Sequence, residues 1–269
     1  MALTVKKLLP TQVEAYRYWE ILQVLVERNL KVRYRGSLLG IYWSLLNPLI
    51  MTGVYTTIFG TTFAEYYNNS ILNYILAAFT GMAVINFFST STSQALSSLV
   101  NNGSLLNKMH LPMSAFPLSI IAANAFQFCL TVWPLLVVMT LLISYSVLNA
   151  AAVILPFVGL TMVCTGIGLL MAALNVFFRD LPYMYELVTF ALWITSPIFY
   201  PSAIVPEEVA GFLQLNPMYP IIESTRQIVL SGEAPDLTLV ATSWLSGIIF
   251  MSFGWFTFKW LKPQFMDLL

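Results

Sequence analysis

Residues Trp19–Pro48 read WEILQVLVERNLKVRYRGSLLGIYWSLLNP, a basic amphipathic segment that runs directly into an apolar segment without charged residues. Apolar side chains recur at helical spacing between Trp19 and Leu30, and cations cluster towards the end of this part: Arg28, Lys31, Arg33 and Arg35. This pattern is typical of a helix that lies in the membrane interface with its cations among the lipid headgroups. The apolar run that follows Gly36 predicts that the chain enters the bilayer here.

The composition of the whole chain also indicates an integral membrane protein. Hydrophobic residues make up 58% of the chain and charged residues 9%, and the mean hydropathy is +0.78, far from the averages of soluble domains. No Asp, Glu, Lys or Arg occurs in residues 36–64, 66–107, 109–178, 187–206 or 237–258. At about 20 residues per crossing, these gaps predict six transmembrane helices, near Leu39–Phe63, Leu72–Thr92, Phe116–Ser144, Val153–Asn175, Met184–Phe199 and Leu237–Phe258.

The predicted fold class is therefore an all-α integral membrane protein that forms one transmembrane domain over residues 1–269. No extramembrane segment is long enough to hold a core of its own. We divide the domain into an amphipathic interface segment (1–36), spans one to five (37–200), an external region (201–236) and span six (237–258).

The distribution of charge predicts the orientation in the membrane. An even number of spans places both termini on one side, and eleven of the twelve cations fall on that side, with only Arg226 opposite. By the positive-inside rule that side is cytoplasmic, which predicts a multi-pass membrane protein with both termini in the cytoplasm. The opposite side carries Glu65, Glu207, Glu208, Glu223, Glu233 and Asp236.

Two connections are too long to be plain turns. The cytoplasmic connection, Ser93 to Ala115, has a short apolar face between Leu99 and Met109, which predicts a short helix lying across the membrane surface. The external connection contains two apolar pieces between prolines, Val209–Leu215 and Ile221–Leu230. We expect two short re-entrant helices there, which require surrounding protein or a water-filled cavity.

The sequence offers little for catalysis. It has no G-x-x-x-x-G-K-[ST] motif, so the energy of ATP would have to come from another chain. His110, Cys129 and Cys164 show no metal-ligand spacing, so we expect no metal site, no catalytic residue and no cofactor in this chain. Ionisable residues are essentially absent from the predicted spans, which argues against a proton-coupled or sodium-coupled carrier.

Aromatic and amide side chains remain as candidates for the wall of a passage. Aromatic faces and amides suit the C–H faces and hydroxyl groups of sugars, although an interfacial aromatic belt is the alternative explanation. The candidate channel-lining residues are Tyr42, Trp43, Asn47, Tyr55, Phe59, Asn86, Phe87 and Phe88.

Four motifs in register carry a resemblance to a known family. They are RNLKVRYRGSLLGIYWSLLNPLI at 28–50, LNVFFRDLPYM at 174–184, SPIFYP at 196–201 and NPMYP at 216–220. Together they resemble the permease subunit of bacterial ABC transporters that export O-antigen, capsule or teichoic acid, over nearly the whole chain. The resemblance implies a homodimer that pairs with two copies of a separate cytoplasmic ATPase, which binds ATP and Mg. It also implies that an undecaprenyl-linked glycan passes through a channel between the protomers, among membrane lipids and without nucleic acid.

The same resemblance implies roles for particular residues. The segment Trp19–Arg35 corresponds to the family's interface helix and Leu99–Pro112 to its coupling helix, in which the ATPase-coupling residues are Leu105, Asn107, Lys108 and Pro112. A basic substrate entrance is expected at Arg28, Arg33, Arg35, Asn175, Arg179 and Asp180. An external gate is expected at Ser196, Pro197, Tyr200, Pro201, Asn216, Pro217 and Pro220.

Other classes of function stay open at this point. An ATP-independent channel would be expected to carry a ring of charges or carbonyls, and the sequence shows none. An ABC permease for a drug or a lipid would be expected to carry fewer amides along spans one and two. The choice among O-antigen, capsule and teichoic acid is not determined by the sequence, and O-antigen is preferred.

Overall fold

The computed structural model describes residues 10–109, 111–206, 208, 211, 213 and 215–268, and every regular element among them is helical. The all-α prediction is therefore confirmed for this part of the chain. The long helices are α1 (Pro10–Arg33), α2 (Trp43–Phe63), α3 (Ile71–Leu96), α6 (Ala115–Ser144), α8 (Ile154–Phe177), α9 (Leu181–Thr195), α10 (Met218–Leu230) and α11 (Leu237–Leu261). The short ones are α4 (Ser98–Asn101), α5 (Gly103–Leu106), α7 (Val147–Ala152) and α12 (Phe265–Leu268).

Within the described residues, four helical segments are long and apolar enough to cross a membrane: Ile71–Leu96, Ala115–Ser144, Val147–Phe177 and Leu237–Gln264. They correspond to predicted spans two, three, four and six. The predicted first and fifth spans are also helical, as α2 and α9, but neither helix combines the length and the apolar composition of these four segments. With 15 residues α9 is short, about 22 Å long at 1.5 Å per residue, whereas α2 has 21 residues and carries many Ser, Thr, Asn and Gly residues.

The end of the predicted fifth span requires a correction. We expected helix from Met184 to Phe199, but α9 ends at Thr195 and Ser196 is extended, with a ψ of 140°. The cause is Pro197, because a proline disfavours the helical conformation of the residue before it. The candidate gate residues at 196–201 therefore lie outside any α-helix.

The predicted coupling helix also requires a correction. We expected one short helix in Leu99–Pro112, but the chain forms two single turns, α4 and α5, and Asn102 lies between them. Residues 107–109 continue without an α-helix. Asn and Gly at positions 101–103 favour turns over continuous helix, and this explains the break.

Helix α3 forms the centre of the bundle. It contacts α2, α6, α8 and α10, and it contributes several fully buried side chains, including Tyr74, Ile85 and Phe88. Residues in the middle of α3 are small or apolar, so neighbouring helices can approach from every side. A helix that is apolar around its whole circumference is expected at such a central position.

Helices α8 and α11 pack closely through small residues. A Cβ atom added at Gly159 would lie 3.1 Å from the carbonyl oxygen of Ser243, and one at Gly166 would clash with the carbonyl of Phe250. Small residues at a helix interface let two backbones approach closely, which is how many helices associate in membranes.

Helix α1 lies against α6 at one end of the bundle, which we call the α1 end. Leu25 is buried there in an apolar cluster with Leu106, Phe116 and Phe265. Asn29 donates a hydrogen bond to the Ser119 hydroxyl at 3.0 Å. The predicted segment therefore forms a helix, which ends at Arg33 and is followed by Arg35 in a turn, whereas its place in the membrane interface stays a prediction.

Helix α10 lies at the opposite end, which we call the α10 end, and packs into the bundle. It contacts α3, α6, α8 and α11, and Met218, Ile221, Ile222, Ile228 and Val229 are fully buried. The second predicted external piece, Ile221–Leu230, therefore lies within a helix that begins at Met218. Most of the first piece, Val209–Leu215, lies outside the described residues.

Candidate functional site

A polar cavity of about 330 Å³ lies between the end of α1 and helices α2, α3 and α6. We call it the amide cavity. Its walls on α3 run from Ala83 to Gln94, about 16 Å at 1.5 Å per residue. Its polar lining residues are Arg33, Tyr34, Ser44, Asn47, Asn86, Thr90, Ser91, Gln94, Asn124 and Gln127.

Arg33 lies at the α1 end of this cavity and is held by neutral amides. Its Nη1 donates to Asn124 Oδ1 at 2.5 Å and to Gln127 Oε1 at 2.9 Å, and its Nη2 donates to Gln94 Oε1. Asn124 also donates to Gln94 Oε1, at 3.3 Å. The last turn of α1 is thus tied to both α3 and α6 through one guanidinium group.

Some polar atoms along the cavity have no protein partner. Asn86 Nδ2 and Ser91 Oγ are buried and make no hydrogen bond with the described residues. Because a buried polar group without a partner costs about 1–3 kcal/mol, these atoms are suited to receive water or a ligand. No carboxylate lines the cavity among the described residues.

The candidate channel-lining residues do not all lie in one cavity. Trp43, Asn47, Asn86 and Phe87 line the amide cavity. Tyr55 and Phe59 line a different cavity of about 380 Å³, which we call the aromatic cavity. The two remaining residues line neither of these cavities: the Phe88 side chain is fully buried, and Tyr42 is 63% exposed at the bundle surface.

The aromatic cavity connects α2 with the segment after α9. The rings of Tyr55 and Phe199 stack at a centroid distance of 3.6 Å, and Trp193 packs edge-on against both. Ser196 and Tyr200 complete the lining on the side of the candidate gate. Aromatic contacts therefore join helix α2 to the candidate gate segment.

Two hydrogen bonds fix the segment after α9. Asn216 Nδ2 donates to Ser196 Oγ at 2.8 Å, and the Tyr74 hydroxyl on α3 donates to the carbonyl oxygen of Phe199 at 3.0 Å. Asn216 also accepts a hydrogen bond from the backbone N–H of Met218 at 2.9 Å. The candidate gate residues Ser196 and Asn216 are therefore in direct contact, although they are far apart in sequence.

Arg226 on α10 holds the same segment. Its Nη2 donates to the carbonyl oxygen of Pro197 at 2.6 Å and to that of Ile198 at 3.3 Å, and its Nη1 forms an ion pair with Glu223 at 2.9 Å. The guanidinium also lies 5.9 Å from the ring centre of Tyr67. This distance permits a cation–π contact, and burial raises the pKa of the Tyr67 hydroxyl above its ordinary value.

The other candidate gate residues surround these contacts. Pro197 and Pro201 are buried, and Pro217 and Pro220 flank the start of α10. The Tyr200 hydroxyl donates to the carbonyl oxygen of Thr195 at 2.9 Å. The structure brings this predicted group together at the α10 end, whereas its function as a gate stays a prediction.

The candidate coupling residues lie at the α1 end. Asn107 and Lys108 are exposed, and Leu105 and Pro112 are half-buried. A surface groove of about 570 Å³ runs between this segment and α1. The groove is lined by Glu14, Arg17, Tyr18, Ile21, Leu106, Asn107, Met109, Leu111, Pro112, Met113 and Met266. His110 lies outside the described residues.

The candidate entrance residues do not form one group. Arg28 donates to Asn102 at 2.8 Å, Arg33 lies in the amide cavity, and Arg35 is exposed. Arg179 donates to the carbonyl oxygen of Leu268 at 2.8 Å. Asn175 is buried and donates to the carbonyl oxygen of Leu96 at 3.1 Å. Asp180 is exposed at the start of α9.

Sequence reasoning missed the amides that hold Arg33. Asn124, Gln127 and Thr131 follow one another at spacings of three and four in an otherwise apolar helix, so they lie on one face. This polar stripe was a readable signal for a cavity or a buried contact. Gln94 and the clamping role of Arg226 had no comparable signal, because their partners come from distant parts of the chain.

The chain is similar to known proteins over most of its length. The profile of the family described as "ABC-2 type transporter" matches residues 20–230. The chain is 28% identical over 253 residues to the O-antigen export system permease protein RfbA of Klebsiella pneumoniae, covering 93% of this chain and 95% of that protein. It is 31% identical over 253 residues to the RfbA protein of Myxococcus xanthus, covering 89% and 94%. To the polysialic acid transport protein KpsM of Escherichia coli it is 22% identical over 227 residues, covering 80% and 84%.

Proposed function

The chain belongs to the ABC-2 type transporter family, and from this premise we propose that it is the membrane subunit of an ATP-driven polysaccharide exporter, most specifically of O-antigen. The observation that carries the proposal is the similarity to O-antigen export permeases, which extends over 89–93% of this chain. The chain is a transport subunit and not an enzyme in this proposal. The cargo is a lipid-linked glycan, with undecaprenyl as its carrier.

We further propose that two copies of the chain associate and that each binds one separate ATPase subunit, which binds ATP and Mg. The exposed residues Asn107 and Lys108, with the groove beside them, offer a surface for the ATPase at the α1 end. The apolar side chains of α9 that no other helix covers support contact with a second copy or with lipid: Tyr183, Met184, Leu187, Val188, Phe190 and Ile194.

The proposed topology has six spans, with α2 and α9 as the first and the fifth, and with both termini in the cytoplasm. Its support is the charge distribution, since eleven of the twelve cations lie on the side of the termini in this arrangement. The protein would then reside in the bacterial inner membrane, with the α1 end facing the cytoplasm and the α10 end facing outward.

The chemistry of the cavities is compatible with a glycan. The amide cavity offers amides and hydroxyls that can exchange hydrogen bonds with sugar hydroxyls, and the aromatic cavity offers ring faces for their C–H surfaces. Weak, neutral contacts of this kind suit a passage, because a translocated chain must be released at every step.

Deletion and complementation of the gene test the proposal. We expect the deletion strain to lose surface polysaccharide and to accumulate undecaprenyl-linked polymer inside the inner membrane, and the intact gene to restore export. The matched control is a strain that carries the intact permease and in which the ATPase gene is replaced by an inactive variant, and this strain should also trap the polymer.

Normal surface polysaccharide in the deletion strain, without trapped polymer, would reject the assignment. An ABC permease for a drug or a lipid would then be the better explanation, and altered resistance or lipid export in the same strain would support it. Export that continues without any ATPase would instead indicate an ATP-independent channel.

A further inference from the structure

Arg33 is a half-buried cation that has no acidic partner among the described residues. Its three partners, Gln94, Asn124 and Gln127, are neutral amides, and no carboxylate from the described part of the chain lines the cavity. The end of α1 supplies only a fraction of a negative charge. A cation removed from water without a counterion is unfavourable. The charge of Arg33 is therefore not balanced by its surroundings.

The cavity also retains donors that the protein does not use. A guanidinium group has five N–H donors, and three of those of Arg33 are directed at amide oxygens. Deeper in the same cavity, Asn86 Nδ2 and the hydroxyl of Ser91 are buried and have no partner among the residues that the structure describes. Donors around an uncompensated guanidinium favour an anion with several acceptor oxygens, such as a phosphate group.

The surroundings of Arg33 indicate how such an anion could arrive. Leu38, Leu39 and Trp43 follow Arg33 closely in sequence and are exposed on the bundle surface. They begin the charge-free run in which the chain enters the membrane. A lipid could therefore place its phosphate group beside Arg33 and its acyl chains along these apolar side chains.

We propose that the α1 end of the amide cavity is a phosphate-binding site centred on Arg33, filled by the headgroup of a membrane lipid. The anion neutralises the charge of Arg33 and stabilises the junction of α1, α3 and α6. The proposal does not rest on the polysaccharide assignment, because a resident phospholipid would bind whatever the cargo is.

Lipid titration of the purified, delipidated full-length chain in detergent tests this site, with native mass spectrometry as the readout. The probes are dioctanoyl phosphatidylglycerol, dioctanoylglycerol, which lacks the phosphate, and inorganic phosphate as a competitor. We expect Arg33→Gln to weaken phosphatidylglycerol binding about tenfold, the effect of losing one charge-assisted contact. Dioctanoylglycerol should bind weakly to every variant.

Two further variants make the test specific. Lys31→Gln removes a positive charge two residues away, at an exposed position outside the cavity, and should bind phosphatidylglycerol like the wild type. Gln94→Glu retains the acceptor for Arg33 and adds an internal counterion, so it should fold and yet bind the lipid about tenfold more weakly.

Equal phosphatidylglycerol affinity in the wild type, Arg33→Gln and Gln94→Glu would overturn the proposal, as would equal binding of dioctanoylglycerol. Displacement of the lipid by inorganic phosphate would support a site for the anion alone. Failure of inorganic phosphate to displace the lipid would support a site for lipid-borne phosphate.

Discussion

Arg226 and Arg33 are both cations within the helical bundle, but their surroundings differ. Arg226 has a carboxylate at 2.9 Å and two backbone carbonyl oxygens, so its charge is balanced by the protein. Among the described residues, Arg33 has hydrogen bonds to amide oxygens only. We therefore assign Arg226 to positioning the segment after α9, whereas Arg33 retains the capacity to bind an anion.

Replacement of Arg226 should destabilise the protein strongly. In Arg226→Gln, Glu223 becomes a largely buried charge without its partner and two carbonyl oxygens lose their donor, so we expect the free energy of unfolding to fall by about 3–5 kcal/mol. Denaturant unfolding in detergent measures it. The matched control is Lys31→Gln, which removes an exposed ion pair with Glu27 and should cost less than about 1 kcal/mol. Similar losses in both variants would contradict the clamping role.

The contributions of Asn175 and Arg179 to stability can be compared in the same way, by substitution. Asn175→Leu leaves the carbonyl oxygen of Leu96 without its buried donor, so we expect the free energy of unfolding to fall by about 1–3 kcal/mol. Arg179→Gln, at an exposed position, should change it by less than about 0.5 kcal/mol. If instead Asn175→Leu left stability unchanged and reduced export, its predicted role at the substrate entrance would be favoured over the structural one.

At the scale of helices, the tightest contact is that between α8 and α11. Its closeness depends on the absence of side chains at Gly166 and Gly254, because a Cβ atom at either position would clash with the backbone of the other helix. Helix α2 shows no such approach at Gly53, where an added Cβ atom would meet nothing within 4 Å. The bundle is thus closely packed where α8 meets α11 and open around Gly53 of α2.

Substitution of glycine should affect these two parts differently. Gly166→Ala must push α8 and α11 apart, so we expect a loss of about 1–3 kcal/mol from overpacking. Gly53→Ala on α2 is the matched control, since its Cβ would meet no atom within 4 Å. It should gain up to about 1 kcal/mol from helix propensity. Thermal unfolding of both variants in the same detergent measures the two changes in stability. A stabilised Gly166→Ala variant would contradict the close packing.

At the scale of the whole molecule, the orientation can be tested with single cysteines. After Cys129 and Cys164 are replaced by alanine, Lys108→Cys and Glu233→Cys each provide an exposed thiol at one end of the bundle. We expect a membrane-impermeant maleimide to label Glu233→Cys in intact spheroplasts and Lys108→Cys only after permeabilisation. The reverse labelling pattern would invert the proposed topology.

The sequence alone determined the all-helical membrane architecture and the approximate position of most helices. These features depend on local composition, because a charge-free run of about 20 residues must form a helix in a bilayer. The amphipathic helix before Arg35 and the proline-rich region after α9 were predictable for the same reason. The exact ends of the helices were less predictable, as the early end of α9 before Pro197 shows.

The tertiary structure decided which polar residues meet. Arg33 lies 61 residues from Gln94 and more than 90 from Asn124 and Gln127, and Arg226 meets carbonyl groups nearly 30 residues away. Such contacts depend on how whole helices pack, which no local pattern specifies. For this reason the predicted entrance residues dispersed, while the predicted gate residues and an unpredicted group of amides each came together at a defined place.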